Sequence, residues 1–167
     1  DYNNYNFNKI SILNFGEKIQ NNSYISFEKS IILKDNPIMY CNFVHDNGDN
    51  IILKLDTLEN KFIPKIINIM NNIKNSINNK YDANVNFNPE MILDNNSFLC
   101  LYLDKKSKCF KLNNLLVKPL KDIFKDKYLK FDILIKGINI YPNNNDYYIY
   151  MDYRIINCII LSNKEYK

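Results

Sequence analysis

Short apolar runs separated by clusters of turn residues occupy most of this chain, and they constrain its fold more than any other feature. The first four runs are rich in Ile, Leu, Phe and Tyr, which favour extended backbone. They span residues 10–15, 24–33, 38–44 and 51–55. The Asp-Asn-Gly-Asp segment at 46–49 predicts a hairpin loop between the last two. We predict a mainly β, single domain over 10–167, preceded by a flexible Asn- and Tyr-rich arm at 1–9.

One apolar stripe with the period of an α-helix interrupts the strands. Steps of three and four residues place its side chains on one helix face, and Pro64 suits the first turn. We therefore predict an amphipathic helix over 64–79. Packing of its apolar face on the domain's own sheet is the favoured interpretation, and packing on a partner helix is the alternative. The stripe comprises Phe62, Ile63, Ile66, Ile67, Met70, Ile73 and Ile77.

The second half of the chain predicts more strands and a second, short helix. Leu99, Leu101 and Leu103 form the expected core face of a strand at 98–103, and the turn at 104–107 should return the chain as a hairpin into 108–112. A short helix near 119–124 follows. A strand at 129–141, a loop at 142–145 and a strand at 146–161 complete the chain. Gly137 interrupts the first of these strands and allows the bulge or sharp coil that closes a small barrel.

Positive charge is concentrated towards the C-terminus. Residues 1–96 hold nine Lys against eleven acidic residues, whereas residues 97–167 hold thirteen Lys and Arg against seven. This asymmetry favours a polyanionic partner, and a solvated lysine surface is the alternative. The abundance of Asn, Ile, Lys and Tyr follows from A/T-rich codons and says little about the fold.

The four cysteines are dispersed without a C-x-x-C pair, so we expect no zinc site. Cys100 and Cys109 flank the predicted turn at 104–107 and can be cross-strand neighbours. We nevertheless expect Cys41, Cys158 and these two to be reduced thiols that act as small apolar side chains. No apolar run reaches membrane-spanning length, and we expect neither a membrane partner nor a cofactor.

Conventional catalytic groups are scarce, and we expect no enzymatic activity. The single histidine, His45, lies beside a polar turn and is interpreted as a loop residue and not as a general base. A metal-dependent nuclease needs only clustered carboxylates. Asp46, Asp49, Asp56 and Glu59 are the nearest such cluster, and solvated loop acids are the preferred interpretation of them.

Aromatic and cationic residues are interleaved at 147–154, where four tyrosines accompany the only arginine. Exposed rings beside cations on a strand can stack on bases and contact phosphates. If Ile149 and its alternate neighbours, Tyr147 and Met151, face the core, then Tyr148, Tyr150 and Arg154 lie on the outer face. The opposite register would expose the rings at 147 and 153, and an ordinary tyrosine-rich strand remains the alternative.

A second aromatic and basic patch is predicted on the hairpin at 102–111. Duplex recognition is not expected, because no basic helix with base-reading side chains stands out. The predicted nucleic-acid-binding residues are Tyr148, Tyr150, Arg154, Tyr102, Lys105, Lys106, Lys108, Phe110, Lys111, Lys130 and Lys136.

The order of elements resembles viral single-stranded DNA-binding proteins of the OB-fold type, namely short-tailed bacteriophage replication proteins and poxvirus single-stranded DNA-binding proteins. The matching segments are the strand at 51–56, the helix at 64–79, the turn at 104–107 and the strands at 130–141 and 147–161. From 51 to 161 they span about two thirds of the chain. The resemblance implies a β-rich α+β fold: an OB-like antiparallel barrel of five or more strands, with an inserted amphipathic helix and a second short helix.

The resemblance also implies sequence-independent coating and protection of single-stranded DNA during viral replication, recombination or repair. The expected place is intracellular, at the site of viral DNA replication in the host cytoplasm or nucleus. RNA, replication proteins and a second copy of the chain are further candidate partners. The phage proteins end in an acidic tail, whereas this sequence ends Asn-Lys-Glu-Tyr-Lys, so such a tail was removed or its regulation is lacking. A viral or parasite interaction protein with a tyrosine-rich docking face is the alternative function.

Overall fold

The computed structural model describes residues 23–34, 36–57, 62–81, 84–87, 92–93, 98–143 and 146–161. Over these residues the chain forms ten strands and two helices, which confirms the prediction of a mainly β fold. The strands are β1 (Ser23–Leu33), β2 (Met39–Asp46), β3 (Asn50–Thr57), β4 (Val85–Phe87), β5 (Ile92–Leu93), β6 (Phe98–Asp104), β7 (Phe110–Leu112), β8 (Leu115–Val117), β9 (Tyr128–Asn143) and β10 (Asp146–Leu161). The helices are α1 (Phe62–Tyr81) and α2 (Lys121–Phe124).

Both predicted helices are present. In α1 the predicted stripe is buried except for the half-buried Ile67, as its period requires. Neither helix of the described part is long and apolar enough to cross a membrane. The predicted arm at 1–9 and the predicted strand at 10–15 lie outside the described residues.

The strand pairing differs from the predicted antiparallel barrel. Hydrogen-bonded neighbours follow the order β5-β6-β3-β2-β9-β10-β7-β8, with β1 added to β9 and β4 added to β10. The pairs β10–β4 and β10–β7 are parallel. This order of the described strands does not return to its start, so the sheet is not closed and an OB-like barrel is not confirmed.

The chain divides into two compact units, each assembled from three segments. Unit 1 takes Asp1–Leu33, Lys65–Asn88 and Leu134–Tyr153, and unit 2 takes Lys34–Pro64, Pro89–Ile133 and Arg154–Lys167. Strands β9 and β10 therefore each contribute residues to both units. The single domain over 10–167 stays a prediction.

In unit 1, α1 is tied to β4 by side-chain hydrogen bonds. Asn78 accepts a hydrogen bond from the Val85 amide through Oδ1 at 2.9 Å, and Lys74 donates through Nζ to Asn86 Oδ1 at 2.9 Å. Strand β1 lies so close to β9 that a Cβ on Gly137 would overlap the Ile25 carbonyl oxygen. The glycine predicted to interrupt this strand is therefore required by backbone proximity.

In unit 2, β2, β3 and β6 pair in antiparallel register, and the hairpin predicted at 46–49 joins the first two. The leucines at 99, 101 and 103 are buried, which confirms the predicted core face of β6. A β-bulge lies in β2 between Cys41 and Phe43. At the bulge, the Cys41 backbone forms hydrogen bonds outside the β2–β3 pairing. Its amide donates to the Lys127 carbonyl at 2.9 Å, and its carbonyl accepts from the Asp126 amide at 3.0 Å.

The prediction of a hairpin at 102–111 is wrong. Strand β6 pairs with β3 and β5, whereas β7 pairs with β10 and β8. Phe110 at the start of β7 is buried and contacts the buried Phe124 ring. Burial of this ring in the core favours the observed position of β7 over one in which β7 pairs with β6. Cys100 and Cys109 are consequently not cross-strand neighbours. All four cysteines are free thiols, in agreement with the expected reduced state.

Candidate nucleic-acid interface

The outer face of β2, β3 and β6 in unit 2 carries aromatic and cationic side chains in cross-strand rows. Directly paired residues share a face of the sheet and lie side by side. We call this surface the aromatic sheet face. Its three rows are Tyr40, Asp56 and Phe98; then Phe43, Lys54 and Cys100; then His45, Ile52 and Tyr102.

Two rings of this face are well exposed to solvent. Phe43 is 50% exposed and Tyr102 is 42% exposed. Phe98 is half-buried, and the Lys54 ammonium lies 4.3 Å from its ring centroid, the geometry of a cation–π contact. Large apolar rings that remain exposed beside a cation form a surface suited to stacking on planar groups.

The bulge in β2 places Phe43 on this face. Met39 and Cys41 are buried, so strict alternation would send the residue at 43 to the core. The inserted residue, Asn42, shifts the period by one, so that Phe43 is exposed and Val44 is buried. This is why alternation in the sequence does not identify Phe43 as a surface ring.

The row containing Tyr102 adjoins the basic turn after β6. Lys105 Nζ lies 2.6 Å from Asp46 Oδ1, and this hydrogen bond holds the pKa of the Asp46 carboxyl below its ordinary value. Lys106 and Lys108 are exposed. Lys105 is thus paired with an acid within unit 2, while the other two predicted lysines of the turn present their charge to solvent.

At the opposite end of the aromatic sheet face, the side chains are held by contacts with neighbouring residues. The Tyr40 hydroxyl donates to Asp126 Oδ1 at 2.9 Å, and this hydrogen bond raises the pKa of Tyr40. The Tyr128 ring lies 5.2 Å from the Tyr40 ring, and Lys125 donates to the Asn42 carbonyl at 2.6 Å. The rings at this end are held by neighbours, so Phe43 and Tyr102 are the accessible rings of the face.

Unit 1 presents a separate group of tyrosines on the hairpin of β9 and β10. Ile149 is buried while Tyr141 and Tyr148 are exposed, which confirms the register predicted from Ile149. Tyr150 is half-buried and packs edge-on against Tyr141, with 5.3 Å between ring centroids. We call these three rings the tyrosine hairpin. The side chains at 147 and 151, which the same register places on the core side, are half-buried.

The remaining predicted site residues fall on different surfaces. Arg154, Lys111 and Lys130 are exposed in unit 2, and Lys136 is half-buried in unit 1. The prediction that Phe110 contacts nucleic acid is wrong: its ring is only 1% exposed and packs edge-on against Phe124 at 5.3 Å. A ring enclosed in this way cannot stack on a base.

The acidic residues considered for a nuclease do not converge. Asp46 is paired with Lys105, and Asp49 lies in the same turn. Asp56 lies at the other end of β3, opposite Tyr40, and Glu59 is outside the described residues. Across the described ranges, no group of three His, Cys, Asp or Glu side chains is arranged to hold a metal ion.

Reasoning from the sequence missed Phe43, Lys54 and Phe98. They lie on three different strands, and only the pairing of β2, β3 and β6 brings them together. For Lys54 and Phe98 the available signal was a basic or aromatic residue on the presumed outer side of a strand, which is too common a pattern to identify a site. For Phe43 strict alternation predicts the core side. Comparison of the chain with protein-family models, curated proteins and solved structures finds no match, so the resemblance to viral single-stranded DNA-binding proteins stays a prediction.

Proposed function

We propose that this protein binds single-stranded nucleic acid, single-stranded DNA above all, without sequence specificity and without catalysis. The observation that carries the proposal is the aromatic sheet face, where exposed Phe43 and Tyr102 accompany Lys54 and Phe98 on three paired strands. Base stacking on such rings contributes about 1–3 kcal/mol per base and accepts any base. An open sheet presents these rings as well as a closed barrel does.

The spacing of the rings suits more than one base. Tyr102, one of the two accessible rings of this face, lies on β6. Phe43 lies on β2, two strands away from β6. Rings distributed in this way can each take a separate unstacked base, which a duplex does not offer.

Phosphate contacts are assigned to exposed lysines near these rings. Lys106 and Lys108 follow Tyr102 in the chain and present their charge at the surface, unlike Lys105. The tyrosine hairpin in unit 1 offers its own stacking rings, Tyr141, Tyr148 and Tyr150. The proposed role is to coat exposed strands during viral DNA replication, recombination or repair.

The test is a titration of fluorescently labelled oligothymidylate with Phe43→Ala, Tyr102→Ala and the double variant. Each single change should weaken binding by about 1–3 kcal/mol, because one stacking ring is lost. Leu120→Ala is the matched control, since it removes an exposed apolar side chain of unit 2 outside this face. Melting temperatures of all variants should stay close to that of the parent protein, because the replaced side chains are exposed.

Salt dependence separates this proposal from docking of a protein on the same rings. Each phosphate neutralised on a single strand lowers log K by about 0.7 per unit of log salt, so three contacts give a slope of about −2. Absence of binding at low salt would overturn the proposal. Binding that is unchanged in the double variant would instead remove the aromatic sheet face from it.

A further inference from the structure

Among the described strands, the short strand β8 lies at one end of the strand order of the sheet. It pairs with β7 through Lys111 and Leu116 and their flanking residues. Asn113 and Asn114 connect the two strands with φ values of 52° and 63°, as a two-residue hairpin turn of type I′ requires. One side of β8 is thereby fixed on β7, and its other side is an edge.

Apolar side chains surround this edge. Leu115 is 69% exposed and Leu116 is 66% exposed. Because consecutive strand residues point to opposite faces, both faces of the edge are apolar. Leu116 pairs with Lys111, which pairs with the exposed Ile159 of β10. We call Leu115, Leu116, Leu120 and Ile159 the apolar edge; exposed apolar side chains grouped around one strand are a feature of binding sites.

Strand β8 is only three residues long, but within those residues its edge lacks the charges, proline and bulges that commonly oppose strand addition. Natural edge strands carry charges, proline or bulges that stop another strand from pairing. Strand β8 reads Leu-Leu-Val, and Pro119 comes only after it ends. An exposed edge with apolar neighbours is the kind of surface to which extended peptides add by backbone hydrogen bonds.

The surrounding charge selects the kind of peptide. Lys111, Lys118 and Lys121 are exposed around the hairpin and its continuation, with Asp122 as the acid next to them. A second copy of the chain would bring the same lysines against these, which opposes self-pairing. A nucleic acid has no peptide backbone that can pair with β8, and it has no apolar side chains that would cover the exposed leucines.

We propose that β8 binds an extended acidic segment of a partner protein, which adds to the sheet as a further strand. Backbone hydrogen bonds to β8 hold the segment, apolar side chains at alternate positions cover Leu115 and Leu116, and its carboxylates face the lysines. The surface is distinct from the aromatic sheet face, and the inference stands whether or not the chain binds nucleic acid.

The experiment is selection of displayed random peptides of about eight residues, the length of an ordinary strand, against the intact protein. Enriched peptides should be acidic and carry apolar residues at alternate positions. Each should bind Leu116→Lys at least about tenfold more weakly, because the apolar contact is lost and a lysine within an edge strand opposes strand addition. Lys111→Glu should also weaken them through like charge. Phe43→Ala is the control and should bind them as the parent protein does.

Three outcomes would overturn the inference. The first is enrichment of peptides that are basic or lack alternating apolar residues. Enrichment on the parent protein that does not exceed enrichment on Leu116→Lys counts as the same outcome. The second is dimerisation by sedimentation that Leu116→Lys abolishes, which would assign the edge to a second copy. The third is tight binding of peptides whose alternate amides are N-methylated, because strand addition needs those amides. Oligothymidylate binding measured on the same Leu116→Lys protein should be unchanged, which keeps this test separate from that of the aromatic sheet face.

Discussion

Cys41 shows how burial determines the state of a single side chain. It lies at the bulge in β2 and is fully enclosed, and burial raises the pKa of its thiol to about 12. Burial also raises the pKa of Cys158. Both thiols are therefore neutral over the physiological range and are poor nucleophiles, because the thiolate is the reactive form.

This environment predicts a pH dependence of stability. In the unfolded chain a cysteine ionises near pH 8.5, whereas folded Cys41 does so at about 12. The stabilising contribution is therefore complete below about pH 8.5 and is lost as pH rises towards the folded pKa, by at most about 1.4 kcal/mol per pH unit. Urea denaturation at about pH 7 and about pH 10 should show a steeper loss of unfolding free energy for the parent protein than for Cys41→Ala. Equal slopes for the two proteins would contradict the assignment.

Individual residues also explain what the sequence could not predict about the site. Alternation places Ile149 and Tyr148 correctly, because no irregularity intervenes between them. It fails at Phe43, where the bulge at Asn42 reverses the face, and beyond Asn157, whose φ of 52° accompanies a change of buried positions from odd to even numbers in β10. Asparagine often marks such positions, but it is so frequent in this chain that the signal is lost.

Elements were predicted more reliably than their partners. The stripe of α1 and the alternation in β6 and β9 arise from local periodicity, which the sequence displays directly. The pairing of β7 depends on contacts between Phe110 and distant residues, and no local pattern encodes them. The cross-strand rows of the aromatic sheet face were missed for the same reason.

The approach of β1 to β9 gives a prediction for Gly137. Gly137→Ala should destabilise the protein by about 1–3 kcal/mol or more, because the new methyl group would overlap backbone that cannot turn aside. The nearest atom is the Ile25 carbonyl oxygen, which the added methyl carbon would overlap. Thermal or urea denaturation measures the effect.

Gly48 provides the matched control. It has open space around it and a φ of 100°, so Gly48→Ala should cost only the backbone strain, about 1–2 kcal/mol. If Gly48→Ala proved the more damaging of the two, the close approach of β1 to β9 would be disproved.

At the scale of the whole molecule, segments that belong to the two units alternate along the chain. Each unit takes three separate segments, and β9 and β10 run from one set of segments into the other. A strand that loses its backbone order in one half frays in the other, because the ladder hydrogen bonds of a strand form cooperatively with their neighbours. The units should therefore unfold together.

Urea denaturation followed by far-ultraviolet circular dichroism and by tyrosine fluorescence tests this expectation. The two curves should coincide in a single transition, the usual sign of two-state unfolding. Arg154→Ala serves as a control, since it changes an exposed side chain in β10 and should not separate the curves. Two resolved transitions would show that the units are independent.

The interleaving of segments also limits how this protein can change by inheritance. A gene duplicates, loses or exchanges contiguous stretches of DNA, and no contiguous stretch encodes either unit. Neither unit can therefore be copied into another protein by a simple recombination, nor replaced by a homologous module. A lineage that keeps one unit must therefore keep the coding region that spans both.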